Sequence, residues 1–195
     1  MPRTEEQNRV IRDKRKAKIT EMGIKLMAAY GPAEIAVDDI ATAIDCSHGL
    51  FYHYFKNTEE LYAYIPTYVQ LAPKLQAYRI PFERIEDAGG AEGLKILAEY
   101  VSEIGNAPDL VIAILTLYVG DLSFFTTPAG VPLSEALLKL VTDGQKEGKV
   151  VDGNPVDIID LFLDFAQGCL TRRDIVGRKD FVGIPADLIA HLFLK

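Results

Sequence analysis

Hydrophobic residues recur every three or four positions along most of the chain, which is the spacing of helices that bury one face. The first predicted helix covers residues 8–30, where Ile19, Met22, Leu26 and Tyr30 fall on one stripe. No extended stretch alternates apolar and polar residues with β-branched enrichment, as a strand would. The sequence therefore predicts an all-α fold of about nine helices, with one at residues 108–125 and the last from Pro185 to the end of the chain.

Turn and capping residues divide the first third of the chain into four helices. Gly31 and Pro32 end the first one. Asn57, with Glu60 three residues later, has the capping-box pattern and begins a fourth helix, in which Pro66 is expected to produce a kink. Between them lie two short helices, predicted at residues 37–44 and 47–54.

The helix predicted at residues 156–176 has an unusually wide apolar arc. Its polar residues form one narrow stripe, whereas a helix on a single core needs an apolar arc of little more than a third of its circumference. We expect burial on two sides, one against its own domain and one against a second chain, with the last helix completing a four-helix dimer interface. The alternative is burial within one chain. The predicted interface residues are Phe162, Phe165, Cys169, Leu188 and Leu192.

Charge is distributed unevenly. The 195-residue chain has a net charge of −7, yet residues 1–18 contain seven Lys or Arg against three acids. Such a basic end can meet a phosphate backbone, although a solvated helix start explains it equally well. Two cysteines make no disulfide framework, and neither a signal peptide nor a membrane-length apolar run is recognisable, so we expect a soluble cytoplasmic protein.

Residues 37–55 have the pattern of a helix-turn-helix, whose second helix usually reads the major groove. Phe51, Tyr54 and Phe55 share a face, which we assign to the core. The opposite face combines hydrogen-bonding groups with a glycine that allows close approach to DNA, and Ser47 adds a hydroxyl at the helix start. That outer face consists of His48, Gly49, Tyr52 and His53.

The runs VDDIA at 37–41, SHGLFYHYF at 47–55 and EEL at 59–61 resemble the DNA-binding signature of the TetR family of bacterial regulators. The resemblance covers about residues 15–65. It implies a DNA-binding domain at 1–60 and a divergent effector-binding and dimerisation domain at 61–195. Ala36 and Thr58 depart from the family pattern, and Lys56 is expected to supply a lost phosphate contact. The implied DNA-binding residues are Ser47, His48, Gly49, Tyr52, His53 and Lys56.

Aromatic residues beyond the motif are candidates for an effector pocket, although aromatic residues at helical spacing more often belong to a core. The candidates are Tyr62, Tyr68, Tyr100, Tyr118 and Phe124. No nucleophile elbow, phosphate loop or Cys/His tetrad occurs, and His48 and His53 are five residues apart, the wrong helical spacing for joint metal binding. We therefore expect no enzyme activity, metal or cofactor.

These patterns predict a dimeric transcription factor, a repressor that leaves a palindromic DNA operator when a small molecule binds. The kinked fourth helix is the expected lever between the two parts. The competing hypothesis is a helical ligand-binding protein that has kept the fold and lost specific DNA recognition, which the net charge, Ala36 and Thr58 favour.

Overall fold

Helices account for nearly all regular structure in the computed structural model, which describes residues 4–118, 130–176 and 183–195. Ten α-helices lie in these ranges, so the all-α prediction is confirmed, with one helix more than expected. The described residues form no strand apart from an isolated bridge between Val150 and Leu194. The chain divides into two compact units, Met1–Gln76 and Ala77–Lys195. Within the described ranges, no helix has the length and hydropathy needed to cross a bilayer.

The first unit contains four helices, as predicted. The first begins three residues earlier than expected because Thr4 and Gln7 form a reciprocal cap, in which the Thr4 hydroxyl accepts from Gln7 N and Gln7 Oε1 accepts from Thr4 N. A short 3₁₀ turn, Pro32–Glu34, follows it. The helices are α1 (Glu5–Tyr30), α2 (Val37–Ala43), α3 (His48–Tyr52) and α4 (Thr58–Leu71).

The buried face of α1 differs from the predicted stripe. Tyr30 is 68% exposed, and Met22 and Leu26 are only half-buried. Of the predicted stripe only Ile19 is fully buried, and it is joined in the core by Ile24, Met27 and Gly23. A Cβ on Gly23 would lie 2.8 Å from Leu61 Cδ2, so the glycine lets α1 and α4 approach closely and rotates α1 toward that contact.

The second unit has α6 at its centre, packed against α5, α8 and α10. Proline and glycine signals place α9 as expected, but α5 and a 3₁₀ turn at Pro73–Tyr78 were not predicted. The helix predicted at 108–125 is seen as far as Tyr118; its remainder lies outside the described residues. The helices are α5 (Phe82–Ala88), α6 (Gly90–Ile104), α7 (Asp109–Tyr118), α8 (Leu133–Lys146), α9 (Pro155–Val176) and α10 (Ala186–Ala190).

The C-terminal tail ends as a turn and not as the helix predicted from residue 185 to the end. Helix α10 stops at Ala190, and the backbone then pairs with the segment after α8: Val151 N donates to Phe193 O, and Lys195 N donates to Lys149 O. These bonds bring Phe193 into the core, where its ring lies 5.2 Å from that of Phe162.

The structural division and the predicted functional division fall at different places. The predicted boundary between residues 60 and 61 lies inside α4, whereas α4 belongs wholly to the first unit. Pro66 lies within α4, as the sequence indicates. The assignment of DNA binding to 1–60 and of effector binding and dimerisation to 61–195 stays a prediction.

Candidate functional site

The turn between α2 and α3 is held by backbone bonds and one left-handed residue. Cys46 N donates to Ala41 O at 2.9 Å, and Asp45 adopts a φ of 52°, a conformation that Asp tolerates better than most residues. Phe51 and Phe55 are 0% and 2% exposed, so the inner face of α3 is fixed on the core of the first unit. The predicted core face is thus correct for both phenylalanines, while Tyr54 is half-buried.

All predicted DNA-binding residues are on the solvent side of this unit. Tyr52 is 57% exposed, and a Cβ added to Gly49 would meet only Ser47 Oγ, at 3.9 Å, which leaves the surface open there. The structure therefore brings the predicted residues onto one accessible surface. We call this surface the outer face of α3; its members are Ser47, His48, Gly49, Tyr52, His53 and Lys56.

Two side chains of this outer face already have partners within the unit. Ser47 Oγ caps α3 by accepting from Leu50 N at 3.3 Å. His48 Nε2 lies 2.7 Å from Asp38 Oδ1 on α2, and both side chains remain mostly exposed. The carboxylate fixes the orientation of the imidazole and leaves Nδ1 for another partner. Sequence reasoning missed Asp38, because the register between two short helices is not visible in the chain.

The start of α4 fixes the backbone beside Lys56. Asn57 Oδ1 accepts from Glu60 N at 2.9 Å, as the capping-box prediction requires, but the Glu60 carboxylate accepts from Lys56 N and not from the cap residue itself. Ala36 has no side-chain acceptor at the start of α2, although Asp39 Oδ2 accepts from Ala36 N at 2.8 Å. The loss of a polar cap at Ala36 is therefore only partly offset.

Two lysine side chains near the beginning of α1 make contacts within the first unit. Lys18 Nζ donates to Ile44 O at 3.1 Å, and Lys16 Nζ lies 3.7 Å from the Tyr64 ring centroid. Besides Lys18, three exposed cations within residues 4–18 have no ion-pair partner among the residues that the structure describes, and these are available to solvent or phosphate: Arg12, Lys14 and Arg15.

Two of the predicted effector-pocket aromatics lie in the first unit. Tyr68 is buried on α4 and its hydroxyl donates to Glu21 Oε1 at 2.5 Å, while Lys74 Nζ donates to the same oxygen at 2.6 Å. Burial, followed by the Glu21 hydrogen bond and charge, raises the pKa of Tyr68. Tyr62 is half-buried on the same helix. Neither residue lines the cavity described below for the second unit, and their assignment to an effector pocket stays a prediction.

The second unit contains a partly open cavity of about 80 Å³. Twelve described residues line it, contributed by the segment before α5 and by α6, α7, α8 and α9, and eleven of them are hydrocarbon side chains. The twelfth is Tyr100, which is the one predicted pocket aromatic found there. Tyr118 is buried in α7 without lining the cavity, and Phe124 lies outside the described residues.

Tyr100 supplies the polar group of the cavity wall. Its hydroxyl donates to the backbone carbonyl of Tyr78 at 2.9 Å, and burial raises its pKa, so the side chain is a neutral phenol at physiological pH. On α9, one residue beyond the cavity-lining Ala166, Gln167 has a buried Oε1 that accepts no hydrogen bond within the described residues. Neither feature is visible from helical periodicity.

The residues predicted at a dimer interface divide into two groups. Phe162 is only 8% exposed and contributes to the core and the cavity wall of its own unit, so its burial needs no second chain, and its place at a dimer interface stays a prediction. Phe165 and Cys169 are half-buried, whereas Leu188 and Leu192 are 58% and 48% exposed. Leu161, with 58% exposure, and Gly168, with open space at its Cα, extend the solvent side of α9.

Within the described residues, no three His, Cys, Asp or Glu side chains come together in a group able to hold a metal ion. Charged residues do cluster in a groove between α6 and α10, where Glu99, Lys95 and Asp187 lie near the C-terminal Lys195. His191 lines the same groove and its Nδ1 lies 2.7 Å from the Asp187 carbonyl oxygen, a local bond at the end of α10.

Comparison with known proteins gives one family and a group of similar folds. Residues 19–65 match the model of bacterial regulatory proteins of the tetR family. No curated protein sequence matches the chain significantly. The fatty acid degradation regulator FadR from Bacillus halodurans is similar in structure, with 16% identity, a TM-score of 0.60, and coverage of 91% of this chain and 93% of that one.

Two further solved structures show the same fold. AibR, in complex with isovaleryl coenzyme A and operator DNA, has 15% identity, a TM-score of 0.59 and coverage of 91% and 94% of the two chains. A TetR-family transcriptional regulator from Haemophilus influenzae has 15% identity, a TM-score of 0.54 and coverage of 94% and 98%. At these identities the similarity establishes the fold, and it extends over both units.

Proposed function

The chain belongs to the tetR family of bacterial regulatory proteins, and from this premise we propose that it represses transcription as a homodimer that leaves its operator when a small molecule binds. Members of this family are transcription factors and not enzymes. The observation that carries the proposal is the outer face of α3, which presents hydrogen-bonding side chains to solvent while Phe51 and Phe55 anchor the helix on its core. Action on the bacterial chromosome implies a cytoplasmic protein.

Side chains on this outer face have different tasks in the proposed complex. Tyr52 and Lys56 contact phosphates and set the position of α3 in the major groove, which contributes affinity without sequence information. His48 contacts a base edge through Nδ1, with Nε2 held by Asp38. Gly49 lets the helix backbone approach the DNA, since its Cα faces open space apart from Ser47 Oγ.

A twofold axis gives the palindromic operator. Two copies of α3 related by such an axis contact two half-sites about one or more helical turns apart. The exposed apolar residues of α9 and α10 supply the second surface of the dimer, with Leu161, Phe165 and Leu188 at its centre. Replacing Leu161 and Leu188 by Glu is expected to give a monomer with intact helix content, measured by light scattering and circular dichroism. Leu138→Glu, at a 39% exposed position of α8, is the matched control.

The cavity of the second unit is the proposed effector site. AibR holds isovaleryl coenzyme A together with operator DNA, which shows that this fold accommodates both classes of ligand. In the dimer, an effector that binds one arrangement of the two DNA-binding units better than the other shifts the population toward it. The spacing of the two α3 helices then no longer fits the half-sites.

A second candidate function is ligand binding without specific DNA recognition. Two observations favour it: Ala36 offers no polar cap at the start of α2, and the Asp38 carboxylate lies beside His48, close to where phosphates would approach. Both features weaken attraction to DNA, and the net charge of −7 acts in the same direction.

Selection of duplexes from a random pool separates the two candidates. The proposed regulator enriches one palindromic sequence, and light scattering of the complex gives two chains per palindrome. Enrichment of no sequence, with the protein folded, would identify the second candidate. A non-palindromic product bound by a single chain would contradict the twofold arrangement.

A further inference from the structure

The chemistry of the cavity wall restricts the molecule that the second unit takes. Eleven of its twelve described lining residues are hydrocarbon side chains, and the exception is the neutral hydroxyl of Tyr100. No described residue of the wall carries a charge that could pair with an ion. A charged group placed there would lose its hydration without gaining a partner, so the wall selects against ions.

The size of the cavity requires movement on binding. A volume of about 80 Å³ is well below the roughly 300–1,000 Å³ of typical ligand pockets. Protein interiors are close-packed and do not deform continuously. A ligand larger than a few atoms therefore displaces wall side chains, and α6 supplies several of these, including Leu97 and Tyr100.

Tyr100 connects the cavity wall to the segment that joins the two units. Its hydroxyl donates to the Tyr78 carbonyl, at the end of the 3₁₀ turn Pro73–Tyr78, and the boundary between the units falls inside this turn, after Gln76. On the other side of the boundary, Gln76 Nε2 donates to Gln70 O at 3.0 Å and to Ala72 O at 3.4 Å. The connecting turn is thus held by both units: Lys74 and Gln76 make its hydrogen bonds to the first unit, and Tyr100 makes one from the second.

Building on the proposed function, we propose that the cavity takes an uncharged, mainly apolar effector, and that its entry displaces Tyr100 and releases the Tyr78 carbonyl. Binding in the second unit thereby removes a hydrogen bond that holds the segment leading to the DNA-binding unit. The Tyr100 hydroxyl gives such an effector one hydrogen-bonding group in the cavity wall. An alcohol, phenol or amide with a short hydrocarbon body has this chemistry.

Three probes of equal chain length test the ligand class: hexan-1-ol, hexanoate and hexylamine at pH 7. The thermal unfolding of the full-length protein reports binding of each without reference to DNA. Hexan-1-ol is expected to raise the unfolding midpoint with an apparent affinity at least about tenfold better than either ion, because none of the described wall residues offers an ion a charged partner. Equal or tighter binding of hexanoate or hexylamine would overturn the assignment.

A matched pair of variants locates the binding site. Ala166→Leu fills the cavity from α9, whereas Ala136→Leu makes the same change at a half-buried position of α8 that does not line it. The midpoint shift with hexan-1-ol should disappear in the first variant and persist in the second. Loss in both variants, or in neither, would place the probe elsewhere and contradict the proposal.

Tyr100→Phe separates the binding of hexan-1-ol from its effect on DNA affinity. It keeps the aromatic wall and removes the hydroxyl that holds Tyr78. Hexan-1-ol should still bind this variant, while its effect on DNA affinity falls from about tenfold in the wild type to nearly none. In the wild type, ¹³C NMR of the tyrosine ζ carbons should show the Tyr100 signal move on hexan-1-ol binding, which tests the contact even if the variant folds poorly.

A failure of the proposed function and a failure of the role given to Tyr100 produce different results. A wild type that enriches no DNA sequence contradicts the proposed function, whereas the thermal and NMR results stand independently of DNA. A wild type that binds both its selected duplex and hexan-1-ol, with no effect of one on the other, contradicts the role given to Tyr100. An unchanged DNA response in Tyr100→Phe contradicts it equally.

Discussion

The two units differ in where their candidate binding groups lie and in how completely their apolar interiors are filled. The first unit fills its interior with large side chains such as Phe51 and Leu61 and presents its candidate chemistry outward, on the outer face of α3. The second unit directs hydrocarbon inward and leaves about 80 Å³ unfilled beside Phe162 and Tyr100. A surface that reads DNA needs a rigid base, while a site that takes an apolar molecule needs an interior able to change. We therefore expect the first unit to be rigid and the interior of the second unit to be more easily deformed.

The largest effect should follow from removing the buried ring that packs α3 on the core of the first unit. Phe51→Ala deletes a fully buried ring and is expected to cost about 3–5 kcal/mol of unfolding free energy, because the neighbouring Phe55 and core cannot close the space. Urea unfolding measures this cost, and filter binding should show that DNA affinity is lost with it. Tyr52→Phe is the neighbouring control at an exposed position, with stability within about 0.5 kcal/mol of wild type. Full DNA affinity in Phe51→Ala would show that α3 needs no rigid base.

Overpacking the second unit should have a smaller effect, because only part of its interior is open. A Cβ on Gly144 would lie 2.4 Å from Val150 Cγ2 and 3.1 Å from Ala91 N, so Gly144→Ala is expected to cost about 1–3 kcal/mol. Gly168→Ala, on α9 with open space at its Cα, should instead gain up to about 1 kcal/mol from helix propensity. Chemical unfolding of both variants makes the comparison. Equal changes in unfolding free energy in the two variants would mean that α6 and α8 are not closely packed at Gly144.

Each unit also has one tyrosine whose pKa lies above the ordinary value. Burial raises the pKa of Tyr68, helped by Glu21, and burial raises that of Tyr100. Because the folded pKa exceeds the unfolded value of about 10, the stability that each phenol contributes is present below pH 10 and is lost as pH rises through the folded pKa.

An absorbance titration of phenolate formation tests this expectation. At least two of the nine tyrosines should ionise after the others in the folded protein, and together with them in denaturant. Tyr68→Phe and Tyr100→Phe should each remove one late titration, whereas Tyr30→Phe, at an exposed position, should leave both late titrations in place. A folded titration curve identical to the unfolded curve would refute both burial assignments.

The smallest effect concerns one charge on the DNA-binding surface. Lys56→Ala should weaken binding to all duplexes about equally and flatten the slope of log affinity against log salt by roughly one, because one phosphate is no longer neutralised. Lys195→Ala, in the second unit and paired with Asp152, is the matched control and should leave the slope unchanged. The measurement is fluorescence anisotropy at several salt concentrations. A slope unchanged by Lys56→Ala would remove this residue from the interface.

Local patterns predicted the first unit better than the second. Helix periodicity and the Asn57 cap placed α3 and α4, and the aromatic spacing correctly assigned Phe51 to the core. The contact of His48 with Asp38 was missed because it joins two helices across a turn. In the same unit, the close approach of α1 and α4 at Gly23 rotated α1 away from its predicted stripe.

In the second unit the wide apolar arc of α9 was recognised, but its interpretation was incomplete. Phe162 was assigned to a second chain, whereas it packs on Phe193 and lines the cavity. A hydrophobic arc indicates that a helix face is covered and does not identify what covers it. The cavity itself arises from helices distant in sequence, so no local spacing could have predicted that Tyr100 would line it while Tyr118 would not.

The most direct test of the central claim, that the outer face of α3 reads DNA sequence, is duplex selection with His48→Ala. His191→Ala, at an exposed histidine beside α10, is the matched control. We expect His48→Ala to relax the preference at one position in each half-site, by about 1–3 kcal/mol, while His191→Ala enriches the wild-type sequence. An unaltered preferred sequence in His48→Ala, with DNA affinity retained, would contradict the assignment of His48 as a base reader.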